Sequence, residues 1–344
     1  MIGRESGGKS GGGNAASRSE REQRPTKFHS SFLKILTGSD LSQRRIPYMR
    51  AVSHRKGPIV WLTACCHGDE VGGIIVVQEV FKRLRKMRLE KGAIHAFPLM
   101  NPLGFEAASR QITMSKEDLN RSFPGNPSGT LAQRLADKIF RSIRDTNPTI
   151  VIDLHNDWIR SIPYAVVDHV SEAVAASSAE LVVELAAASG LLMVKEQDPL
   201  RHSLSHSLLQ FGIPALTMEL GESFVVNEVN VDIGVRSVYN LLSKLKMVSD
   251  VELFRYSGNT DSTNHGMLSY RQTPNSSSSG IIRFLVRAGE TVSKGQPVAK
   301  IVNALGKQRE IIRAPEDGIV LGLSDSSVAF PGAPVMAFGL TTEG

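Results

Sequence analysis

His67-Gly68-Asp69-Glu70 sets a histidine and a carboxylate three residues apart, shortly after the apolar run Ile59-Val60-Trp61-Leu62. At a strand-to-helix turn both side chains can face one point, and open α/β sheets bind their ligands at the carboxyl ends of strands. An H-x-x-E pair alone is common and lacks a third ligand. Asp153-Leu154-His155 supplies one at the end of a second apolar run, Thr149 to Leu154. Side chains alternate along a strand, so Asp153 and His155 share a face, and Asp153 could orient a metal-bound His155 through its other ring nitrogen. Two histidines and a glutamate leave the fourth position of zinc open for water, which is the catalytic pattern. His67, Glu70 and His155 are therefore the expected ligands of one Zn2+ per chain.

A second group lies between them: Asn101-Pro102, Gly104-Phe105-Glu106, Arg110, and Asp118-Leu119-Asn120-Arg121-Ser122-Phe123-Pro124-Gly125. A loop of that length inside a compact domain is usually functional. Arg121 offers a planar fork for a substrate carboxylate, with Asn120 as a neutral donor beside it, and Arg110 could hold an oxyanion. The competing reading is surface salt bridges and turn residues.

To hold these groups the chain must alternate strands and helices. The apolar pattern predicts a strand from Pro58 to Cys66, a helix from Val71 to Lys91 and a strand from Ala93 to Leu99. After a long polar loop to Pro127 come a helix from Gly129 to Arg144, a strand from Thr149 to His155 and a helix from Ser171 to Ala188. A strand from Pro214 to Leu220 and a helix ending near Lys246 complete the series. The class is α/β, with a mixed, largely parallel sheet covered by helices on both faces. Beyond Phe254 the composition turns to Ser, Asn, Thr and Gly, and then to short β-type runs with turn glycines. The expected organisation is a disordered tail over residues 1–28, a hydrolase domain over 29–254, a linker or long loop over 255–280 and a small all-β domain over 281–344. Gly295-Gln296-Pro297-Val298 and Gly332-Ala333-Pro334-Val335 form a weak repeat within the last.

The 344 residues are 41% hydrophobic and 22% charged, as in globular proteins, and carry a formal charge of +6, of which the first 28 residues hold +3. A basic run, Lys82 to Lys91, is expected on the solvated side of a helix whose Phe81, Leu84 and Met87 face inward. Charge therefore implies no nucleic-acid partner, only a weak preference for anionic substrates. No apolar run reaches the ~20 residues of a membrane helix and the N-terminus lacks a secretory segment, so a cytoplasmic protein with no membrane partner is expected. Cys65 and Cys66 are sequence neighbours, which excludes a disulfide framework and suits two small residues packed at a strand end.

Five motifs in order, H-G-D-E at His67, N-P-L-G-F-E at Asn101, D-L-N-R-S-F-P-G at Asp118, D-L-H-N at Asp153 and E-L-G at Glu219, resemble the succinylglutamate desuccinylase/aspartoacylase family of zinc carboxypeptidase-like hydrolases. The resemblance covers about residues 45 to 340. It implies that His67, Glu70 and His155 bind zinc, that Asn120 and Arg121 grip a substrate carboxylate, that Arg110 polarises the scissile carbonyl and that Glu219 is the general base. The spacing from Arg110 to Asn120 is longer than in aspartoacylases. Strand alternation over Pro214 to Leu220 agrees with Glu219, which shares a face with Ala215 and Thr217, whereas Glu222 follows Gly221 into the exit loop as a solvated carboxylate.

The segment Gly280 to Phe338 is similar to the barrel-like β-domain such enzymes append and to lipoyl or biotinyl carriers. Lys307 has a carrier lysine's offset from Ala314-Pro315, but Gly306 and Gln308 replace its usual neighbours, so it reads as a solvated turn residue. His202 and His206, four apart, would share a helical face and could line the cleft. Three functions compete: a zinc-dependent deacylase acting on the linear amide of a small N-acyl amino acid, a zinc carboxypeptidase acting on peptides or cell-wall fragments, and an idle binding protein. The complete set of metal, base and carboxylate-binding residues argues against the third, and an appended domain that excludes long peptides favours the first. Homo-oligomerisation is left open.

Overall fold

The computed structural model describes residues 25–37, 41–169, 176–256 and 266–341. Most of the expected tail, residues 170–175 and part of the expected linker lie outside the described residues. Lys27 and Phe28, assigned to the tail from sequence, open a strand instead: β1 (Lys27–Thr37) pairs antiparallel with β2 (Gln43–Val52). This hairpin escapes a reading by alternation because β1 is an edge strand, which needs little apolar surface.

The expected alternation follows: β3 (Ile59–Ala64), α1 (Gly72–Leu84), β4 (Ala93–Phe97), the short α2 (Pro102–Glu106), α3 (Leu131–Arg144) and β5 (Ile150–Asp157). Next are β6 (Arg160–Ser161), β7 (Pro163–Val167), α4 (Ala176–Ala188), β8 (Leu192–Lys195), α5 (Leu204–Gln210), β9 (Ala215–Glu222) and α6 (Glu228–Lys244). Helix α3 shows why its sequence works. Thr130 and Gln133 close a capping box at its start, and Leu135, Ile139, Phe140 and Ile143 form its buried stripe.

Helix α1 stops at Leu84, seven residues short of the expected Lys91. Leu89, five residues beyond Leu84, would fall about 140° off the apolar stripe of a continued helix. It is buried nonetheless, and the N–H of Glu90 bonds the Met247 carbonyl beyond α6, so the chain leaves the helix to reach that contact. The basic run is thus largely a loop.

In the main sheet the strands lie in the order β1-β2-β4-β3-β5-β9-β7-β8. Strands β4, β3, β5 and β9 are parallel, β7 is antiparallel to β9, and β8 is parallel to β7. Helices α1, α4 and α6 pack together on one face, while α3 and α5 cover the other. The sheet is mixed and largely parallel with helices on both sides, as the alternation predicts.

The expected linker contains β10 (Leu268–Arg271), which pairs with β8. The last strands are β11 (Gly280–Phe284), β12 (Thr291–Val292), β13 (Pro297–Val302), β14 (Gln308–Arg313), β15 (Gly318–Leu323), β16 (Val328–Ala329) and β17 (Met336–Leu340). Through β10 the main sheet continues into β17, β15 and β12, and a second sheet, β14-β13-β11-β16, packs on that extension. Ile282, Val298, Ile301, Val320 and Phe338 form the core between them. A separate cluster of Ile162, Tyr164, Val194, Leu268, Ile319 and Leu321 fastens this β-unit to the α/β part. Gly295 and Gly332, at φ of 79° and 88°, turn the chain toward β13 and β17, which accounts for the repeated motif. Among the described residues no helix is long and apolar enough to cross a membrane.

Candidate active site

The turn after β3 is fixed by backbone contacts with the α2 region. Met100 and Asn101 donate their N–H groups to the carbonyls of Ala64 and Cys65, and Gly68 donates to Ser109. The Asn101 side chain caps α2 by accepting from the Gly104 N–H at 2.9 Å. A Cβ on Gly68 would collide with the backbone of Gly104, so this close approach requires glycine. The N-P-L-G-F-E motif thus buttresses the H-G-D-E turn, with Cys65 and Cys66 buried as free thiols in that turn.

His67, Glu70 and His155 are all buried, and each offers a ligand atom within 4.8 Å of the others. Nδ1 of His155 lies 2.8 Å from Oε2 of Glu70, and Nδ1 of His67 contacts the other oxygen of the same carboxylate. The opposite ring nitrogens are each tied to a carboxylate. Nε2 of His155 lies 2.9 Å from Asp153, which accepts from the Thr63 hydroxyl at 2.7 Å, and Nε2 of His67 lies 3.2 Å from Asp118. Carboxylates behind both rings orient the Nδ1 lone pairs toward one point and raise their basicity. Burial pushes the Glu70 carboxyl up, but the two imidazoles outweigh it and hold the group well below the usual carboxylate range. Two imidazoles and an ionised carboxylate converging on one buried point fit a divalent zinc ion. The sequence anticipated the contact between Asp153 and His155. It did not anticipate Asp118, which orients His67 from 51 residues away.

These residues open into a cavity of about 520 Å³ that Asn120, Arg121, Thr217 and Glu219 also line. Glu219 on β9 sits between His155 on β5 and Tyr164 on β7. Its Oε2 atom is shut off from solvent and has no hydrogen-bond partner among the described residues. Burial, then the neighbouring Asp157, push its carboxyl well above the usual range. Glu222 is not the solvated loop carboxylate expected from sequence. It ends β9 and accepts from the side-chain amides of Asn227 and Asn230 at 3.1 and 2.7 Å, linking the strand to the start of α6.

Arg110 stands at the rim, half exposed, with Nε and Nη2 at 3.2 and 3.1 Å from Asp118 and Nη1 3.8 Å from Glu70. Asn120 uses its Oδ1 to accept from the Leu204 N–H at 2.9 Å, and its amide nitrogen makes no hydrogen bond among the described residues. Arg121 is exposed and donates to the Asn120 carbonyl at 2.8 Å. His202 precedes α5 and bonds the Phe123 carbonyl, so the wall that α5 lends to the cavity is Ser203 and Ser205 rather than the paired histidines. Sequence reasoning also missed Tyr164, whose hydroxyl donates to Asp157 at 2.6 Å and whose ring stacks on Tyr270 from the β-unit. Burial pushes Asp157 up to about 7. Tyr270 to Thr273 complete the wall, so the β-unit is part of the cavity.

A family model described as the succinylglutamate desuccinylase/aspartoacylase catalytic domain matches residues 56–245. Over 139 residues the chain is 34% identical to the N-alpha-acetyl-L-2,4-diaminobutyric acid deacetylase of Halomonas elongata, covering 39% of this chain and 40% of that protein. Among solved structures, a succinylglutamate desuccinylase from Silicibacter sp. TM1040 superposes with a TM-score of 0.76 at 19% identity, covering 93% of this chain and 97% of the other. The product-bound ectoine utilization protein EutE (DoeB) from Ruegeria pomeroyi gives a TM-score of 0.78 at 20% identity, with coverages of 93% and 97%. A metallo-carboxypeptidase from Burkholderia cenocepacia gives 0.52 at 16% identity, with coverages of 66% and 67%. At these identities the structural likenesses speak for the fold alone.

Proposed function

The chain belongs to the succinylglutamate desuccinylase/aspartoacylase family, and from that premise we propose that it is a zinc-dependent deacylase hydrolysing the amide bond of a small N-acyl amino acid. The observation that carries this reading is the convergence of His67, Glu70 and His155 beside the unpartnered carboxylate of Glu219 in one cavity. Held by those three residues, zinc supplies Lewis acidity toward the carbonyl and lowers the pKa of water toward ~7. Glu219 accepts the proton of the attacking water and returns it to the nitrogen of the leaving amine as the C–N bond breaks. Arg110, released in part from Asp118, donates to the developing oxyanion. Arg121 and the free amide nitrogen of Asn120 hold the substrate carboxylate. The wall formed by Tyr270 to Thr273 supports a small substrate over a long peptide, which separates this reading from a carboxypeptidase.

The test is a hydrolysis panel on the zinc-loaded protein, comparing N-acetyl and N-succinyl amino acids with dipeptides and tripeptides by amine release. Faster release from the peptides, or no turnover of any N-acyl amino acid, overturns the deacylase reading. On the best substrate, Arg121→Ala is expected to raise KM by about 10- to 100-fold, the worth of a hydrogen bond to a charged group. Its melting temperature should barely move, because the guanidinium is exposed and its hydrogen bond is to its neighbour's carbonyl. An unchanged KM would return Arg121 to the surface.

A further inference from the structure

The cavity has two electrostatic ends, and only one is used by the proposed reaction. Near the metal ligands stand Arg110 and Arg121. The floor then runs along β9 and β7, where Glu219 lies opposite Tyr164 and Thr217 opposite Val166. Strand alternation carries the same face on to Asp168, four residues past Tyr164 and so roughly 13 Å along the strand. Glu196 follows β8, parallel to β7, and its N–H bonds the Val167 carbonyl, which brings the two carboxylates to adjacent strand ends. Both line the cavity, with Ser203 and Ser205 beside them. Asp168 is 2% exposed, and its Oδ2 atom has no hydrogen-bond partner among the described residues. The Ser205 hydroxyl hydrogen-bonds its carboxylate, and neither acid forms an ion pair with a lysine or arginine among the described residues, Arg271 standing on the same wall without pairing to them.

We infer that Asp168 and Glu196 form a subsite for a substrate ammonium group, so that the substrate is an N-acyl diamino acid whose second amine is free and charged. The inference rests on the deacylase reading for its reaction and on this acidic pocket for its specificity. A buried, unpaired carboxylate is costly unless a cation or hydrogen-bond donor meets it. An ammonium supplies both the charge and three N–H donors, which Asp168, Glu196 and the serine hydroxyls can share. Burial pushes Asp168 up to about 6 and Glu196 up to about 7, each aggravated by neighbouring carboxylates, so both gain from a cation between them. Asp198 adds a further negative charge at the same end. The arrangement selects a zwitterionic chain, its carboxylate toward Arg121 and its ammonium toward Asp168.

The test uses the zinc-loaded full chain and matched pairs of substrates: N-acetyl derivatives of lysine, ornithine and 2,4-diaminobutyrate against those of norleucine, norvaline and 2-aminobutyrate. The wild type is expected to favour the amine-bearing member by about tenfold or more in kcat/KM, the discrimination of a site built for a polar group. Asp168→Asn should reduce that preference by about tenfold or more, chiefly through KM on the amine-bearing member, and Glu196→Gln should reduce it less. A purely structural Asp168 would lower stability without moving the ratio. Should Asp168→Asn fail to fold, Glu196→Gln and calorimetric binding of free lysine against norleucine to the wild type decide the matter. No preference in the wild type, or an unaltered ratio in both variants, overturns the subsite. Preferential binding of lysine without turnover of any N-acyl amino acid would instead overturn the deacylase reading and leave the subsite standing.

Discussion

Replacing Glu219 with glutamine is expected to leave the fold and the metal in place while lowering kcat by at least ~10²-fold, the loss typical of removing a general acid-base group. Glutamine keeps the shape of the side chain but cannot take a proton from water. Because the Oε2 atom of Glu219 has no partner among the described residues, the substitution breaks no structural hydrogen bond. Glu222 is the control, since it is the other carboxylate of the same strand end and lies outside the cavity that Glu219 lines. Glu222→Gln retains an oxygen that can accept from Asn227 or Asn230 but loses the charge that draws both, so it should cost about 1 kcal/mol of stability and far less than tenfold in kcat. Turnover, zinc content and melting temperature of the two variants on one substrate separate the roles. Near-normal turnover in Glu219→Gln, or abolition by Glu222→Gln alone, would remove Glu219 from the chemistry.

His155→Ala is expected to lose the metal and reduce hydrolysis to background, because two remaining ligands do not make a tight zinc site. The histidine contributes twice, through Nδ1 beside Glu70 and through Nε2 against Asp153. Removing it therefore leaves Asp153, which is 1% exposed, with only the Thr63 hydroxyl of these two partners. Asp153→Asn and Asp118→Asn should be graded versions of the same defect, each weakening zinc affinity by about 10- to 100-fold through loss of ring orientation. Metal analysis of dialysed protein gives the order directly. A chelator should abolish wild-type activity, and added zinc should restore it in the wild type but not in His155→Ala. Stoichiometric zinc in His155→Ala would refute the ligand assignment.

Much of this site was legible because its parts are local. His67 and Glu70 belong to one turn, Asp153 and His155 to one strand, and Thr217 and Glu219 to one face of another, so periods of two and spacings of three sufficed. The apolar runs that end at these residues also specified the α/β alternation, since a strand buried on both faces has little other composition available. The hairpin of β1 and β2 was not legible, because an edge strand tolerates the mixed sequence Lys27–Thr37. Strand β10 was hidden in a polar stretch for a related reason. Only Leu268 and Ser269 of it are fully buried, and its place is set by pairing with β8 rather than by its own pattern.

By itself the sequence determined the fold class, the ordered motifs of the family and the residue types at the strand ends, because these depend on neighbours a few positions away. Tertiary structure alone decided which carboxylate serves which task. Asp118 stands behind His67, Glu222 is committed to Asn227 and Asn230, and Asp168 meets Glu196 at the far end of a cavity walled by the β-unit. The physical reason is that a carboxylate's role follows from burial and from the partners brought to it by strand register and crossover. Those contacts join β3 to the loop before α3, β7 to β8, and β10 to β8 across long stretches of chain, and no periodicity encodes them.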